Sequence, residues 1–331
     1  MPRNNMPADW VPPAPAWQSH WQDRSDALVA GYFGIQSEDP TLLDEWAMTA
    51  FHGEHPPLAV ERGVHADPET TTDCIYIAYW RRSDYRKWWV EPDHSGWWND
   101  PQRLADGVGY WREIVTMPFD RFETLHSTQT PHGVGVSADP TDGPIDEHGY
   151  PGGMRDRIPL SDRDSLQNPN AVTAPLKSRV SDGGRRGLVT PPQYMCVIRS
   201  GQDWSACGTE EKQHYLKKLH PVLLKGMRFL RENPMETRCY SLRFVEQRDT
   251  RWGATELSFG LGYAVDVHAF EAWAKSHPTH LAIFGGFLNM VETFAPEMKL
   301  QLWHEVTSLA KADCEFEYIA CHSSTGLLNY I

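Results

Sequence analysis

A strand–helix–strand order occurs twice in this chain of 331 residues, and this repeat constrains the fold more than any other feature. In the first copy, strands are predicted at residues 74–80 and 109–115, with a helix at 83–89 between them. In the second copy, strands are predicted at 257–265 and 300–306, with one helix at 267–276 and another starting at His280. The order predicts an α+β protein of two fused ferredoxin-like halves, whose antiparallel strands pack or close into a β-barrel flanked by helices.

The rest of the chain divides around these two halves, which span about residues 26–125 and 194–331. Residues 1–25 are rich in proline and tryptophan and predict an extended arm that wraps the body or a neighbour. Residues 126–193 are rich in glycine, proline and aspartate, and such long irregular segments are usually functional or disordered. We therefore expect one domain, residues 26–331, with further strands at 27–36, 194–199 and 239–246 and further helices at 40–52 and 210–232.

Charge and cysteine usage exclude several classes of protein. The net charge is −13 with both signs interspersed, which argues against nucleic-acid binding. No apolar run is long enough to span a membrane, and no apolar segment follows the N-terminus, so a cytoplasmic location is expected. The six cysteines form no CxxC pair and are interpreted as reduced core thiols, with a thiolate iron ligand as the alternative. The 14 tryptophans indicate either core packing or the wall of an apolar pocket.

Two histidines stand out because of the elements that carry them. Ser276 is predicted to cap a helix in which His280 precedes Ile283, Phe284 and Phe287 on one face. An imidazole at the head of an apolar stripe is what a proximal haem ligand requires. In the strand at 300–306, His304 points away from its neighbours, Glu305 included, so the two histidines could flank a flat cofactor. The alternative, that both histidines are structural, stays open at this point.

Several segments in the same order resemble the haem-containing aldoxime dehydratases. They are residues 147–157, 198–204, 226–231, 239–241, 273–281 and 303–306, and the likeness extends from about residue 25 to the end. The resemblance implies a homodimeric α+β barrel with one haem b per chain, ferrous in the active form. It also implies conversion of an aldoxime, R–CH=N–OH, to a nitrile and water. The chain departs from the family at Pro151, where tryptophan is usual, and at residues 285–286, which puts the pocket shape in doubt.

The resemblance also implies a role for each site residue. His280 corresponds to the proximal iron ligand, and His304 to the distal catalytic histidine. Ser200 corresponds to the serine that holds the oxime hydroxyl, Arg157 to a distal arginine, and Glu123 to a distal acidic residue. A histidine suits proton donation and return near neutral pH. The residues alone leave Ser200 open as a turn serine and Arg157 open as a surface or haem-propionate salt bridge.

Three other functions remain as alternatives. One is a haem peroxidase or chlorite-dismutase-like enzyme, which would use a distal aspartate or arginine, and a histidine on the strand at 300–306 argues against it. Another is a non-catalytic haem sensor in which His280 and His304 both coordinate iron. The third is a cofactor-free dimeric barrel.

Overall fold

The computed structural model describes residues 4–66, 71–170, 174–310 and 314–331, in which most strands join one large antiparallel sheet. Strands β1 (Gln18–His20) and β7 (Asp139–Asp142) form a separate two-stranded ribbon. The large sheet contains β2 (Leu28–Gln36), β3 (Ala59–Ala66), β4 (Thr72–Arg81), β5 (Gly109–Met117), β6 (Phe122–His126), β8 (Lys177–Ser181), β9 (Arg186–Thr190), β10 (Cys196–Asp203), β11 (Cys239–Arg248), β12 (Ala254–Ala264), β13 (Gln301–Ser308) and β14 (Cys314–Ile319).

The helices lie mainly within the two repeats. They are α1 (Thr41–Ala50), α2 (Arg82–Val90), α3 (Pro92–Asn99), α4 (Gly153–Asp156), α5 (Thr209–His214), α6 (His220–Glu232), α7 (Pro234–Thr237), α8 (Val267–Ser276) and α9 (Pro278–Phe294). None of the helices in the described part of the chain has the length and apolar character needed to cross a bilayer.

The two halves of the chain have the same strand order. The second half runs β13-β10-β12-β11 and the first runs β3-β4-β2-β5, so each half leads outward from a central β11–β3 pair. This central pair is short, with Glu246 opposite Val64 and Arg248 opposite Arg62. The α+β prediction is confirmed, because helices cover a large antiparallel sheet.

The predicted closed barrel is wrong for the described residues, because the sheet order ends at β6 and β8 without a pairing between them. The sheet nevertheless curls strongly. Five strand spacings separate β4 from β13, about 24 Å in a flat sheet, yet the Tyr79 hydroxyl on β4 donates to Glu305 on β13 at 2.7 Å. The free edge of β6 is covered by the N-terminal arm, since Trp17 and His126 exchange backbone hydrogen bonds of 2.8 Å. The arm thus occupies the edge that closure would need.

The element boundaries follow the sequence prediction closely, with informative exceptions. Seven strands were not predicted, and three of them, β7, β8 and β9, lie in the segment 126–193 that was expected to be irregular; the others are β1, β3, β6 and β14. The helix predicted at 210–232 is divided by a π-helical turn, Tyr215–Leu219. Pro221 has no N–H to continue the regular helical bonding there. Helix α9 is capped by His277, whose Nδ1 accepts from the Thr279 N–H at 3.3 Å, and not by Ser276 as predicted.

The two halves differ in what fills the space between helices and sheet. In the first half, α1, α2 and α3 pack on the sheet through a fully buried aromatic cluster that includes Phe33, Trp46, Trp80, Trp88 and Trp98. Seven of the 14 tryptophans are buried, which supports core packing, whereas Trp273 and Trp303 also contribute to the wall of a cavity in the second half. In the second half, the corresponding space beneath α6 and α9 is a cavity.

Candidate active site

The cavity of about 520 Å³ lies between α6, α9 and the strands β10, β12 and β13. Its wall is mostly apolar, as is usual for a small-molecule or cofactor site. Of the residues proposed from the sequence, Arg157, Ser200, His280 and His304 line it, and Glu123 lies directly behind. The apolar wall includes Leu219, Leu223, Met227, Ile283, Phe284 and Phe287.

Small side chains on the sheet create this cavity. Ser200 on β10 lies opposite His304 on β13 and opposite Gly260 on β12. The residues at the matching register positions of the first half are Phe33, Arg112 and Tyr76, and both aromatic rings belong to the buried cluster there. A serine and a glycine leave open the volume that these rings fill. Ser200 is in the middle of a strand, so the turn-serine alternative is wrong.

The position of Ser200 depends on a close approach by its neighbour. A Cβ atom at Gly201 would lie 2.2 Å from the Trp303 indole, so only glycine fits there without displacing the ring. The first half has the same arrangement, where a Cβ at Gly34 would lie 2.1 Å from the Trp111 indole. The two pairs occupy matching register positions, Gly201 opposite Trp303 and Gly34 opposite Trp111.

Three side chains form a hydrogen-bonded triad at one side of the cavity, two of them buried and the third, His304, half-buried. The Arg157 guanidinium donates from Nε and Nη2 to the two carboxylate oxygens of Glu123, at 2.7 and 3.0 Å. The Nε2 atom of His304 lies 2.9 Å from Glu123 Oε1 and 2.9 Å from Arg157 Nη2. Arg157 is 2% exposed and Glu123 is 3% exposed, so the surface-salt-bridge interpretation of Arg157 is wrong.

The triad gives His304 a partner in either protonation state of Nε2. When Nε2 carries a proton it donates to Glu123, and when it carries a lone pair it accepts from Arg157. Burial raises the pKa of Glu123, but the charges and hydrogen bonds of Arg157 and His304 outweigh burial and hold it at about 2. Glu123 is therefore a fixed carboxylate near neutral pH. Glu305 points to the opposite face, as predicted, and accepts from Tyr79 and the Val134 N–H.

We expect Glu123→Gln to destabilise the protein by about 3–5 kcal/mol at pH 7, because it leaves the Arg157 charge buried without its partner. The folded-state pKa of about 2 lies below the ordinary value of 4.5, so the carboxylate's contribution is complete above pH 4.5 and is lost as the pH falls toward 2. The stability difference between wild type and variant should therefore shrink across that window. Urea unfolding at pH 7, 5, 4 and 3 measures it, and a constant difference would contradict the assignment.

His280 meets the requirements of an axial haem ligand. It begins the apolar face of α9, where Ile283, Phe284 and Phe287 follow as predicted and all line the cavity. Burial lowers the pKa of His280, which favours the neutral imidazole that binds iron, while the nearby Ala274 carbonyl acts in the opposite direction. The buried Nδ1 of His280 has no hydrogen-bond partner among the described residues. One face of α9 thus offers both a neutral imidazole that can bind iron and apolar side chains that can pack against a porphyrin ring, which fits a haem group.

Burial also argues against a cysteine ligand. None of the cysteines is among the described residues that line the cavity. Burial raises the pKa of Cys196 and of Cys239, the latter to about 12, so these thiols stay protonated near neutral pH.

The structure adds cavity residues that the sequence interpretation missed. His148 lies in the wall with its Nε2 buried and without a hydrogen-bond partner among the described residues, and burial lowers its pKa. Its place in the motif at residues 147–157 was the available signal. Residues 13–16 of the arm and Gln202 also line the cavity. Pro151 contributes to the wall, whereas a Cβ at Gly286 would lie 2.7 Å from Leu219, which explains a glycine at that helix contact.

Comparison with known proteins defines the class. The family model of the haem-containing dehydratases matches residues 31–327, and the chain belongs to this family. It is 34% identical to a phenylacetaldoxime dehydratase of Bacillus sp. strain OxB-1, over 98% of this chain and 94% of that protein. It is 36% identical to an aliphatic aldoxime dehydratase of Rhodococcus globerulus, over 98% of this chain and 92% of that protein.

A solved structure of an aldoxime dehydratase also has the same fold as this chain. The crystal structure of an aldoxime dehydratase in complex with butyraldoxime matches with a TM-score of 0.91 at 34% identity. The match covers 100% of this chain and 92% of that chain. The resemblance inferred from the sequence motifs is therefore confirmed.

Proposed function

We propose that this protein is a haem-dependent lyase that dehydrates aldoximes, R–CH=N–OH, to nitriles and water. The observation that carries the proposal is the placement of Arg157, His304 and Ser200 in the same cavity as His280, with Glu123 directly behind and bonded to Arg157 and His304. The membership of the family and the names of its relatives support the same reaction.

His280 is the residue proposed to hold the cofactor, as the proximal ligand of a haem b that is active in its ferrous form. The bound ferrous iron would bind the oxime nitrogen and supply electron density toward the N–O bond, which makes that bond easier to break. The remaining chemistry is proton transfer, and it belongs to the side chains of the triad and Ser200.

The reaction requires one proton to reach the oxime oxygen and one to leave the oxime carbon. His304 is proposed to protonate the departing hydroxyl, so that the N–O bond breaks with release of water. The neutral imidazole then accepts the proton of the aldoxime carbon as the nitrile forms, which restores the starting state. Ser200 is proposed to hold the oxime hydroxyl, because it lies opposite His304 on the adjacent strand.

Glu123 and Arg157 are proposed to prepare His304 for both steps. The fixed carboxylate stabilises the protonated ring, and the guanidinium donates to the neutral ring at Nε2. A six-coordinate low-spin spectrum in both oxidation states, unchanged by aldoxime, would instead support a sensor in which both histidines coordinate iron, since the contacts at Nε2 leave Nδ1 of His304 for a metal. The proposed substrates are aryl and alkyl aldoximes, which suit the apolar wall.

The test is an anaerobic assay of the haem-loaded, dithionite-reduced protein with phenylacetaldoxime and butyraldoxime. Nitrile is measured by gas chromatography while the Soret band is recorded. Nitrile formation that depends on reduction is expected. A Soret change without nitrile from either substrate would contradict the proposed reaction, and peroxidase turnover of a chromogenic dye would support the peroxidase alternative.

The finer features of the architecture belong to the same proposal. We infer that each half is a ferredoxin-like unit, since both follow a strand–helix–strand–strand–helix–strand order. We also propose that residues 26–331 form one domain preceded by an arm, and that two chains associate as a homodimer. Light scattering of the haem-loaded protein measures the oligomeric state.

Matched glycine substitutions separate stability from catalysis. Gly201→Ala and Gly34→Ala each force a Cβ into an indole ring and should each cost about 1–3 kcal/mol of unfolding free energy. Only Gly201→Ala should lower turnover, because Gly201 adjoins Ser200 whereas Gly34 adjoins the filled aromatic cluster. Thermal unfolding and the nitrile assay measure the two effects. Equal losses of turnover in the two variants would contradict the role given to Ser200.

A further inference from the structure

The N-terminal arm contacts the segment that carries Arg157, which is the loop at residues 146–157. The Trp10 indole N–H donates to the His148 carbonyl at 2.9 Å, and its ring packs edge-on against Tyr150 at 5.4 Å between centroids. The Ile145 N–H donates to the Ala16 carbonyl at 2.9 Å. The arm therefore holds both ends of the turn that leads into α4.

A second set of contacts fixes the far end of the loop. Asn5 donates from its backbone N–H and its side-chain amide to Asp156, at 3.1 and 2.6 Å. It accepts from Arg155 at 3.1 Å, and the Tyr150 hydroxyl also donates to Asp156, at 2.9 Å. Asp156 is 1% exposed, so these are buried partners of a charged group and not incidental surface contacts.

The fit between arm and loop is close enough to require glycine on the loop. Gly149 has a φ of +78°, and a Cβ there would lie 2.8 Å from Pro13. Gly152 has a φ of +93°, and a Cβ there would lie 2.6 Å from Asn5. Both positions combine a left-handed backbone with direct contact to the arm.

The loop transmits this support to the triad. Arg157 follows Asp156 directly, and its Nη1 donates to the Glu147 carbonyl at 2.5 Å, one residue before the carbonyl that Trp10 holds. Its other nitrogens bind Glu123 and His304. The arm also supplies residues 13–16 to the cavity wall beside His148 and Arg157.

We propose that the arm is part of the active site and that Trp10 and Asn5 are positioning residues, which hold Arg157 against His304 through the loop at 146–157. This inference rests on the proposed function for its kinetic consequences, but its structural consequence is independent of turnover. Loosening the arm should let Arg157 leave the triad while His280 and the apolar wall stay in place.

The test uses Trp10→Phe, which keeps an aromatic side chain but removes the indole N–H that donates to the His148 carbonyl. Val11→Ala is the matched control. Val11 is on the same arm, is 79% exposed, and is not among the residues that line the cavity. In the full chain, hydrogen exchange of peptides covering residues 147–157 should become about three- to tenfold faster in Trp10→Phe and stay unchanged in Val11→Ala. Haem content should match wild type in both variants.

A double-mutant cycle tests whether the effect passes through Arg157. Trp10→Phe should lower kcat about three- to tenfold in the wild-type background. It should lower kcat little in an Arg157→Lys background, where the bidentate contact is already lost. A purely structural role for Trp10 predicts the same factor in both backgrounds.

The outcomes distinguish this inference from the proposed function. Wild-type protein without nitrile formation would overturn the proposed reaction, and the exchange measurement would still decide whether the arm holds the loop. An active wild type, with unchanged exchange at 147–157 in Trp10→Phe or with equal factors in the two backgrounds, would overturn the inference alone.

Discussion

Replacing His304 with alanine is expected to lower the turnover of aldoxime by about 10²–10⁴ while haem content stays close to that of wild type. General acid–base catalysis by a positioned side chain is typically worth this factor. His304 is held at Nε2 by Glu123 and Arg157, so its removal deletes the proton donor without touching the His280 helix. The measurements are kcat for butyraldoxime and the haem-to-protein ratio from the Soret absorbance.

A matched control is His322→Ala, which removes an exposed imidazole bonded to Ser324, away from the cavity. That variant should retain full turnover. A His304→Ala protein with near-normal kcat would contradict the acid–base assignment. A variant that loses haem together with activity would instead indicate that His304 supports cofactor binding.

Replacing His280 with glycine is expected to remove the haem and all measurable turnover, which is the largest effect predicted for this chain. His280 is the residue proposed to coordinate the iron, and the other residues of α9 that line the cavity are apolar and offer no coordinating group. Added imidazole should restore part of the Soret band by entering the space that the side chain leaves. The purified variant, its absorbance spectrum and its response to imidazole provide the measurement.

The neighbouring histidine serves as the control for this experiment. His277→Ala removes the side-chain cap of the same helix and should cost about 0.5–2 kcal/mol of stability while the haem is retained. Full haem content and turnover in His280→Gly would mean that His280 is structural. Haem loss in both variants would mean that the integrity of α9, and not one ligand, determines cofactor binding.

The elements of the second half could be predicted because they are local. The periodicity of α9 and the alternation of β13 are each contained in fewer than 20 residues, and they placed His280 and His304 on the correct faces. Ser200 was harder, because the pair Ser200-Gly201 also fits a turn. Only the register, with Ser200 opposite His304 and Gly201 beneath Trp303, identifies it as a cavity residue.

The two halves have the same strand order, yet in the described residues the positions beneath the helices hold a buried aromatic cluster in the first half and line a cavity in the second. The register pairs Phe33 with Arg112 in the first half and Ser200 with His304 in the second. Arg112 donates to Glu317 at 2.6 Å and belongs to a structural ion pair, whereas His304 lines the cavity. A few side-chain sizes at equivalent positions therefore determine which half can accept a cofactor.

The repeat of strands and helices, the α+β class, the family, and the faces on which His280 and His304 lie could all be predicted from the sequence. These follow from patterns confined to neighbouring residues or from motifs in fixed order. Three features could not be predicted and depend on long-range packing: the sheet of the described residues stays open, the arm covers one edge of it, and Glu123, Arg157 and His304 meet. Arg157 is 34 residues from Glu123 and 147 residues from His304 along the chain. These three residues approach one another only because the sheet curls and the loop at 146–157 is held in place. Local periodicity contains no information about such distances, because burial and ion pairing arise only when distant segments pack together.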